Sequence, residues 1–214
     1  MHKPAAPHDE GSFFGALLDV RFGPEGLRDH VVAILNRLKD RQIHDTDHAL
    51  FDALCYVAAC HAVGITGINE KVLADLVNIP NGWVQTRVVN PLGEEAAAVR
   101  SAAHVVTRHS KVARAILVAA EKDLGPDIAE IWSCIVRQTA RTAKNGGVSH
   151  ETHSKVLHAG AKLQRALPQQ FTEHRRKEIA VAAATASIAA EPDRLSRIVD
   201  LSKTYRNARD YTAE

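Results

Sequence analysis

Cysteine is scarce: three in 214 residues, Cys55, Cys60 and Cys134. The number is odd and no Cys-x-x-Cys pair occurs, so neither a disulfide framework nor a zinc ribbon is indicated. Cys55 and Cys60 fall on an apolar helical stretch and read as buried reduced thiols. Aromatics make up only 5% of the chain, and alanine is abundant, which predicts helix-on-helix packing with close approaches. Proline and glycine are thin within the periodic segments, which also favours helices. No apolar run is long enough to span a bilayer; the longest, Ile179 to Ala190, is short and mostly alanine. Met1 to Gly11 holds two prolines, two histidines and two acids, with no apolar core of a secretory leader. The expectation is a cytoplasmic chain with no membrane partner. Charge of one sign is lacking too: the formal net charge is +2, too small to argue for or against nucleic acid.

The usual catalytic signatures are missing as well. There is no Gly-x-Ser-x-Gly elbow, no cysteine in an electropositive turn, no GxxxxGK[ST] phosphate loop and no GxGxxG after a strand. Twelve histidines raise the question of a metal. His44 and His48 are four apart, but a helix start falls between them. His150-Glu151-Thr152-His153 lacks the i, i+4 spacing of a zincin helix. Neither supplies the three or four convergent ligands that zinc needs, so no metal site is assigned and the histidines read as solvated.

What is present is helical periodicity. Residues 1–23 read as a lead, partly disordered, with a short helix near Ser12 to Leu18 packing by its aromatics. Pro24 opens a helix carrying Leu27, Val31, Leu35 and Leu38 on one face. Asp45 or Asp47 is placed to cap the next helix, apolar around much of its circumference from Leu50 to Val63 and closed at Gly64. Asn69 caps Glu70 to Val77. After the turn Asn78-Ile79-Pro80-Asn81-Gly82, a second short helix runs to about Asn90, where Pro91 stops it. The two form a helix-turn-helix. Ala97-Ala98-Val99 and His104-Val105-Val106-Thr107 flank Arg100-Ser101 as the halves of a weak hairpin, because consecutive β-branched residues prefer a strand. Ser110 caps the next helix, to Asp123.

The fold class that follows is mostly α. A winged-helix-like domain, helix-turn-helix plus a weak β-hairpin wing, covers 24–124. Antiparallel helical hairpins cover 125–214: Asp127–Lys144, Ser149–Leu167, Thr172–Ala190 and Arg194–Tyr205. The last pair, with small residues at its contact and Pro192 in its turn, looks like one tetratricopeptide-type repeat, without a regular 34-residue period. Arg175-Arg176-Lys177 reads as a solvated basic face.

A helix-turn-helix suggests DNA. Its second helix would present Trp83, Gln85 and Arg87 to base edges, with Arg100 and Lys111, alongside Arg108, touching phosphates from the wing. One arginine without flanking lysines is a thin electrostatic footprint, and packing is an equally good use of the motif.

Val105-Val106-Thr107-Arg108-His109-Ser110-Lys111-Val112-Ala113-Arg114-Ala115-Ile116 resembles the end of the winged-helix domain in STAND-type signalling NTPases, which include bacterial defence proteins and nucleotide-binding immune receptors. In that family a strand leads into a Met-His-Asp or Arg-His motif that opens a helix. Its histidine reaches the phosphates of bound ADP and holds the off state. His109 is the matching position and Arg108 its neighbour; Ser110 departs from the aspartate of the immune receptors. Val72-Leu73-Ala74-Asp75-Leu76 is similar to the same domain, and Ile179 to Leu201 to the helical repeats beyond it. The resemblance implies a non-catalytic regulatory and protein-interaction module that couples nucleotide state to partner sensing. ATP or ADP would enter only through a partner or another domain, since this chain has no phosphate loop of its own. A histidine in a helical first turn is physically suited to meet a phosphate. The alternative is a winged-helix transcriptional regulator that binds DNA. Oligomeric state is not legible.

Overall fold

The computed structural model describes residues 13–95 and 97–209. The expected disorder of the first twelve residues therefore lies outside the described residues. Helix α1 runs Phe13–Lys39 and is broken at Gly23, whose φ of 61° and ψ of 179° leave the helical region. The part of the lead from Phe13 onward is thus helical; its expected aromatic packing lies outside the described side chains. Then come α2 (Leu50–Ala62), β1 (Ile68–Asn69) and α3 (Glu70–Leu76). A 3-10 turn (Asn81–Trp83), a π turn (Gln85–Val89) and α4 (Asn90–Glu94) form one continuous helical path. Strands β2 (Ala98–Ser101) and β3 (His104–Thr107) follow, then α5 (Ser110–Ala119), which ends in a second π turn (Ala120–Leu124). The remainder is α6 (Ile128–Lys144), α7 (His150–Leu157), α8 (Gly160–Ala166), α9 (Glu173–Ala190) and α10 (Leu195–Arg209). The protein is mostly helical with one small antiparallel sheet.

The strands pair in the order β1-β3-β2. Val105 and Thr107 of β3 are buried, while His104 and Val106 are half-buried, the period of two that a sheet with one covered face requires. Arg100 and Ser101 belong to β2, paired with Val105 and His104, so the turn is Ala102-Ala103 rather than Arg100-Ser101. Ala102 takes a left-handed φ of 52° there.

Several caps lie where expected. Asn69, Ser149 and Thr172 accept from the N–H groups of Lys71, Thr152 and Arg175, satisfying donors that the first turn leaves orphaned. Asp127, expected as the first helical residue, instead caps α6 by accepting from the Ala129 N–H. Three expectations are corrected. Neither Asp45 nor Asp47 caps α2; Asp45 turns the chain at φ 63°, and Asp52 in the first turn of α2 accepts from the Ala49 N–H at 2.9 Å. Pro91 does not stop its helix. The π turn moves the hydrogen-bond register, Asn90 N–H bonding to Gln85 O, so the missing N–H of Pro91 falls at the start of a fresh α stretch. The helix expected from Ser149 to Leu167 is two, α7 and α8, with a break at His158-Ala159.

One apolar cluster runs from Val31 in α1 to Ala186 in α9. Helix α2 is its axis, with ten buried residues among thirteen. It packs on α5 and α6, and α6 in turn packs on α9. Gly160 sits directly against α9: a Cβ there would lie 2.9 Å from the Ala184 methyl and 3.1 Å from the Ala180 carbonyl. That is the close approach predicted by the alanine-rich composition. Cys55 and Cys60 are buried, and loss of hydration pushes the Cys60 thiol up to about 12. The run at Arg175 is not a solvated face. Arg175 donates to Glu121 at 2.7 Å and Asp127 at 2.6 Å, and pairs with Glu178 at 3.1 Å. It thereby fastens α9 to the end of α5 and the start of α6, and its acceptors, Glu121 first, hold its guanidinium above the ordinary range. Among the described residues, no helix is long and apolar enough to cross a membrane.

Candidate functional site

Residues singled out in the sequence fall into two places, and a third cluster was not anticipated. The first place is the passage from β3 into α5. His109, not Ser110, is the N-cap: its Nδ1 accepts the Lys111 N–H at 3.1 Å. Thr107 donates its hydroxyl proton to the His109 carbonyl at 3.0 Å, which leaves its oxygen to accept from His61 Nδ1 at 2.6 Å. The imidazole of His109 is 5% exposed and bound into its own helix start, whereas Arg108 beside it is exposed. Of the expected sensing pair, Arg108 is the surface member. His109 is the hinge pin of the junction.

The second place is the helical path from Trp83 to Glu94 with the hairpin. Arg87 lies flat over the Trp83 ring, 3.4 Å from its centroid. Its Nη1 donates to the His44 carbonyl at 2.9 Å and lies 3.5 Å from Asp45. Gln85 donates to Asn90 at 2.7 Å. On the hairpin, Arg100 pairs with Glu70 and also donates to the Ala102 carbonyl at 3.2 Å. Lys111 is half-buried at the start of α5. Gln85, Arg87 and Arg100, expected to reach DNA, are thus engaged within the chain, and Asp45 and Glu70 offset the charge of Arg87 and Arg100.

The third cluster joins α7, α9 and α10. Arg197 is only 3% exposed. It donates from Nε and Nη2 to Glu191, both at 2.8 Å, and from Nη1 to His158 Nε2 at 2.8 Å. His158 Nδ1 bonds the Asp200 carboxylate, and His153 Nε2 lies 3.1 Å from the other oxygen of Glu191. Because a cationic donor fills Nε2 of His158, that imidazole has no free lone pair to act as a base; it bridges two charges. Burial works to raise the Glu191 carboxyl, but the Arg197 hydrogen bond and the charges of Arg197, His153 and Arg194 outweigh it and hold the group below the ordinary carboxylate range.

No local sequence pattern announces this cluster, because its partners are up to 42 residues apart and His158 lies at a helix break not visible in the periodicity. Only the i, i+3 pair Arg197 and Asp200 on α10 carries a signal, and that is a common surface pattern. The surface pairs His44–Asp45 and His48–Asp52 stand apart from it, and among the described residues no three His, Cys, Asp or Glu side chains converge on a metal position.

Burial lowers the affinity of both His104 and His153 for a proton below the ordinary 6.5. A histidine depressed in the folded state binds fewer protons there than in the unfolded chain, so acid favours unfolding. The stability these groups confer is complete above pH 6.5 and is lost as pH falls through that value and below it. Urea midpoints measured at about pH 7.5 and pH 5.5 are expected to fall on acidification. A midpoint that holds steady or rises would contradict this assignment.

Comparison with known proteins yields no match among protein-family models, curated proteins or solved structures.

Proposed function

We propose that the chain is a non-catalytic regulatory and protein-interaction module whose partner surface is the outer face of α10. The observation that carries this reading is that the helix buries two polar side chains while it exposes four large apolar ones. Its buried residues are polar, Arg197 and Thr204. Its exposed ones, beside the polar Ser196, Ser202, Lys203 and Arg206, include four large apolar side chains: Leu195 at 77%, Ile198 at 50%, Val199 at 48% and Tyr205 at 48%. A helix docked only for its own fold turns its apolar stripe inward. Leu195, Ile198 and Val199 lie three and four apart and form one ridge, the pattern by which a helix presents anchors to a second helix or a groove. A stripe of this kind at the end of stacked helices is where a further helical layer or a partner would cover it.

The order of elements supports the finer reading of the N-terminal part as winged-helix-like. A central helix α2 leads to a short strand, two helical pieces and a hairpin, and β1 lies against β3. On this reading β3 and α5 form the lever at His109 and Arg108, through which the nucleotide state of a partner domain would reach the helical hairpins. The bonds from His61 Nδ1 to the Thr107 hydroxyl oxygen and from Arg114 Nε to the Ala62 carbonyl (3.4 Å) tie that lever to the end of α2. ATP or ADP enters this scheme only with the partner, and the setting is cytoplasmic signalling of the STAND type.

The competing reading, a DNA-binding regulator, requires Arg87 and Gln85 at base edges. Both side chains would first have to surrender the bonds to His44 and Asn90. Fluorescence anisotropy with duplex DNA separates the two. No saturable binding is expected at physiological salt up to about 10 µM protein, and Arg87→Ala is expected to leave the signal unchanged. Binding that weakens both with added salt and with Arg87→Ala would overturn the interaction-module reading in favour of the regulator.

A further inference from the structure

We propose that the cleft between the end of α2 and helices α7, α8 and α10 binds a small phosphate monoester with an apolar body. This inference is independent of the partner surface on α10. The cleft has a volume of about 500 Å³, within the usual range for small-molecule sites. Its walls differ in chemistry. Val63 and Ile65, from the turn after α2, and Leu163 of α8 contribute apolar lining. Lys155, Lys162 and Lys203, one each from α7, α8 and α10, make a cationic side.

Among the described residues, the charge of Lys162 and Lys203 is not neutralised by an ion pair. The single carboxylate lining the cleft, Asp200, already bonds His158 and lies 4.0 Å from Arg197. Lys155 pairs with Glu151 at 2.6 Å. Lys162 and Lys203 are exposed and have no ion-pair partner among the described residues. Two unpaired ammonium groups on different helices, beside an apolar wall, match an anion carrying close to two charges on one end. A phosphate monoester has about −1.5 to −2 at neutral pH. No arginine lines the cleft, so a planar carboxylate would lack its bidentate partner, while lysine serves a phosphate as a point charge. A ligand seated there would bridge α8 and α10 through its phosphate and reach the turn after α2 with its body.

The test uses the full chain and isothermal titration with 1-naphthyl phosphate, inorganic phosphate and 1-naphthol. Naphthyl phosphate is expected to bind at least about tenfold more tightly than either inorganic phosphate or naphthol, because the phosphate and the ring each meet a complementary wall. Lys162→Gln with Lys203→Gln removes two exposed charges without touching the core and is expected to weaken that binding by about tenfold or more. Amide shifts in nuclear magnetic resonance spectra are expected to move at Gly64, Ile65 and Ala161 to Ala166. No binding of naphthyl phosphate at millimolar concentration overturns the proposal. So does naphthol binding equally well, the double variant binding unchanged, or shifts confined to residues outside the cleft.

Discussion

Replacement of Arg197 by alanine is expected to destabilise the protein by about 3–5 kcal/mol, the loss typical when one partner of a buried ion network is removed. In a chain of this size that corresponds to a fall in Tm of about 10 °C. The magnitude follows from what is left behind rather than from what is deleted. Arg197 is 3% exposed and holds Glu191 by two donors and His158 by a third. Without it, Glu191 and Asp200 remain half-buried, balanced by the two histidines and by the exposed Arg194, 3.8 Å from Glu191. Arg197→Lys keeps a charge but cannot reach Glu191 and His158 with a planar fork, so its loss is expected to be intermediate. The deficit of Arg197→Ala is expected to shrink as pH falls towards the ordinary glutamate value of 4.5, because protonation of Glu191 removes the uncompensated charge. Chemical denaturation of the three proteins at neutral and acidic pH reads all of this. A loss below about 1 kcal/mol at neutral pH would mean that the cluster behaves as a surface network.

The second large effect is expected at Gly67. This residue has φ 115°, which side-chain-bearing residues rarely adopt. A Cβ would also meet the Val106 side chain and come within 2.5 Å of the Val105 carbonyl. Ile68, the next residue, pairs with Val105 and starts the sheet. Gly67→Ala must therefore either strain the backbone or push β1 off β3, at a cost of about 3 kcal/mol or more. Gly64 is the control. Its φ of 80° is also left-handed, but no atom lies within 4 Å of a Cβ there. Gly64→Ala is expected to cost about 1 kcal/mol, the conformational part alone. Equal losses at the two positions would show that backbone angle, and not the contact with β3, governs the turn.

The elements that local chemistry specifies were legible in the sequence. Asn69, Ser149 and Thr172 are capping residues before apolar periodic runs, and each caps in the structure. The hairpin was legible from Val105, Val106 and Thr107, although its turn lies at Ala102-Ala103. What depended on distant partners was not legible. Pro91 stands inside a helical path because a π turn precedes it, and a π turn has no composition signal. The basic run at Arg175 is structural because Glu121 lies across from it, 54 residues away in sequence. His109 is singled out by the family resemblance as a phosphate-sensing residue, while the N-cap role that it holds is expected of Ser110. Histidine is an uncommon cap, and the burial that makes it one comes from the surrounding fold.

The proposed interaction surface on α10 was invisible for a related reason. Leu195, Ile198, Val199 and Leu201 are the apolar residues of the helical segment Arg194–Tyr205, and their spacing alone does not say which way they face. Only the fold reveals that Arg197 and Thr204 took the inward positions and that three of those apolar side chains face out. The most direct test of the proposed module is therefore a photo-cross-linking residue at Val199, used in the cell of origin with the wild-type background and with Leu195→Asp plus Ile198→Asp. Both substituted residues are exposed, so the fold should be retained, which circular dichroism and a melting curve can check. The account predicts one discrete protein adduct in the wild-type background and its loss in the double variant. No protein adduct, or the same adducts in both backgrounds, would contradict it.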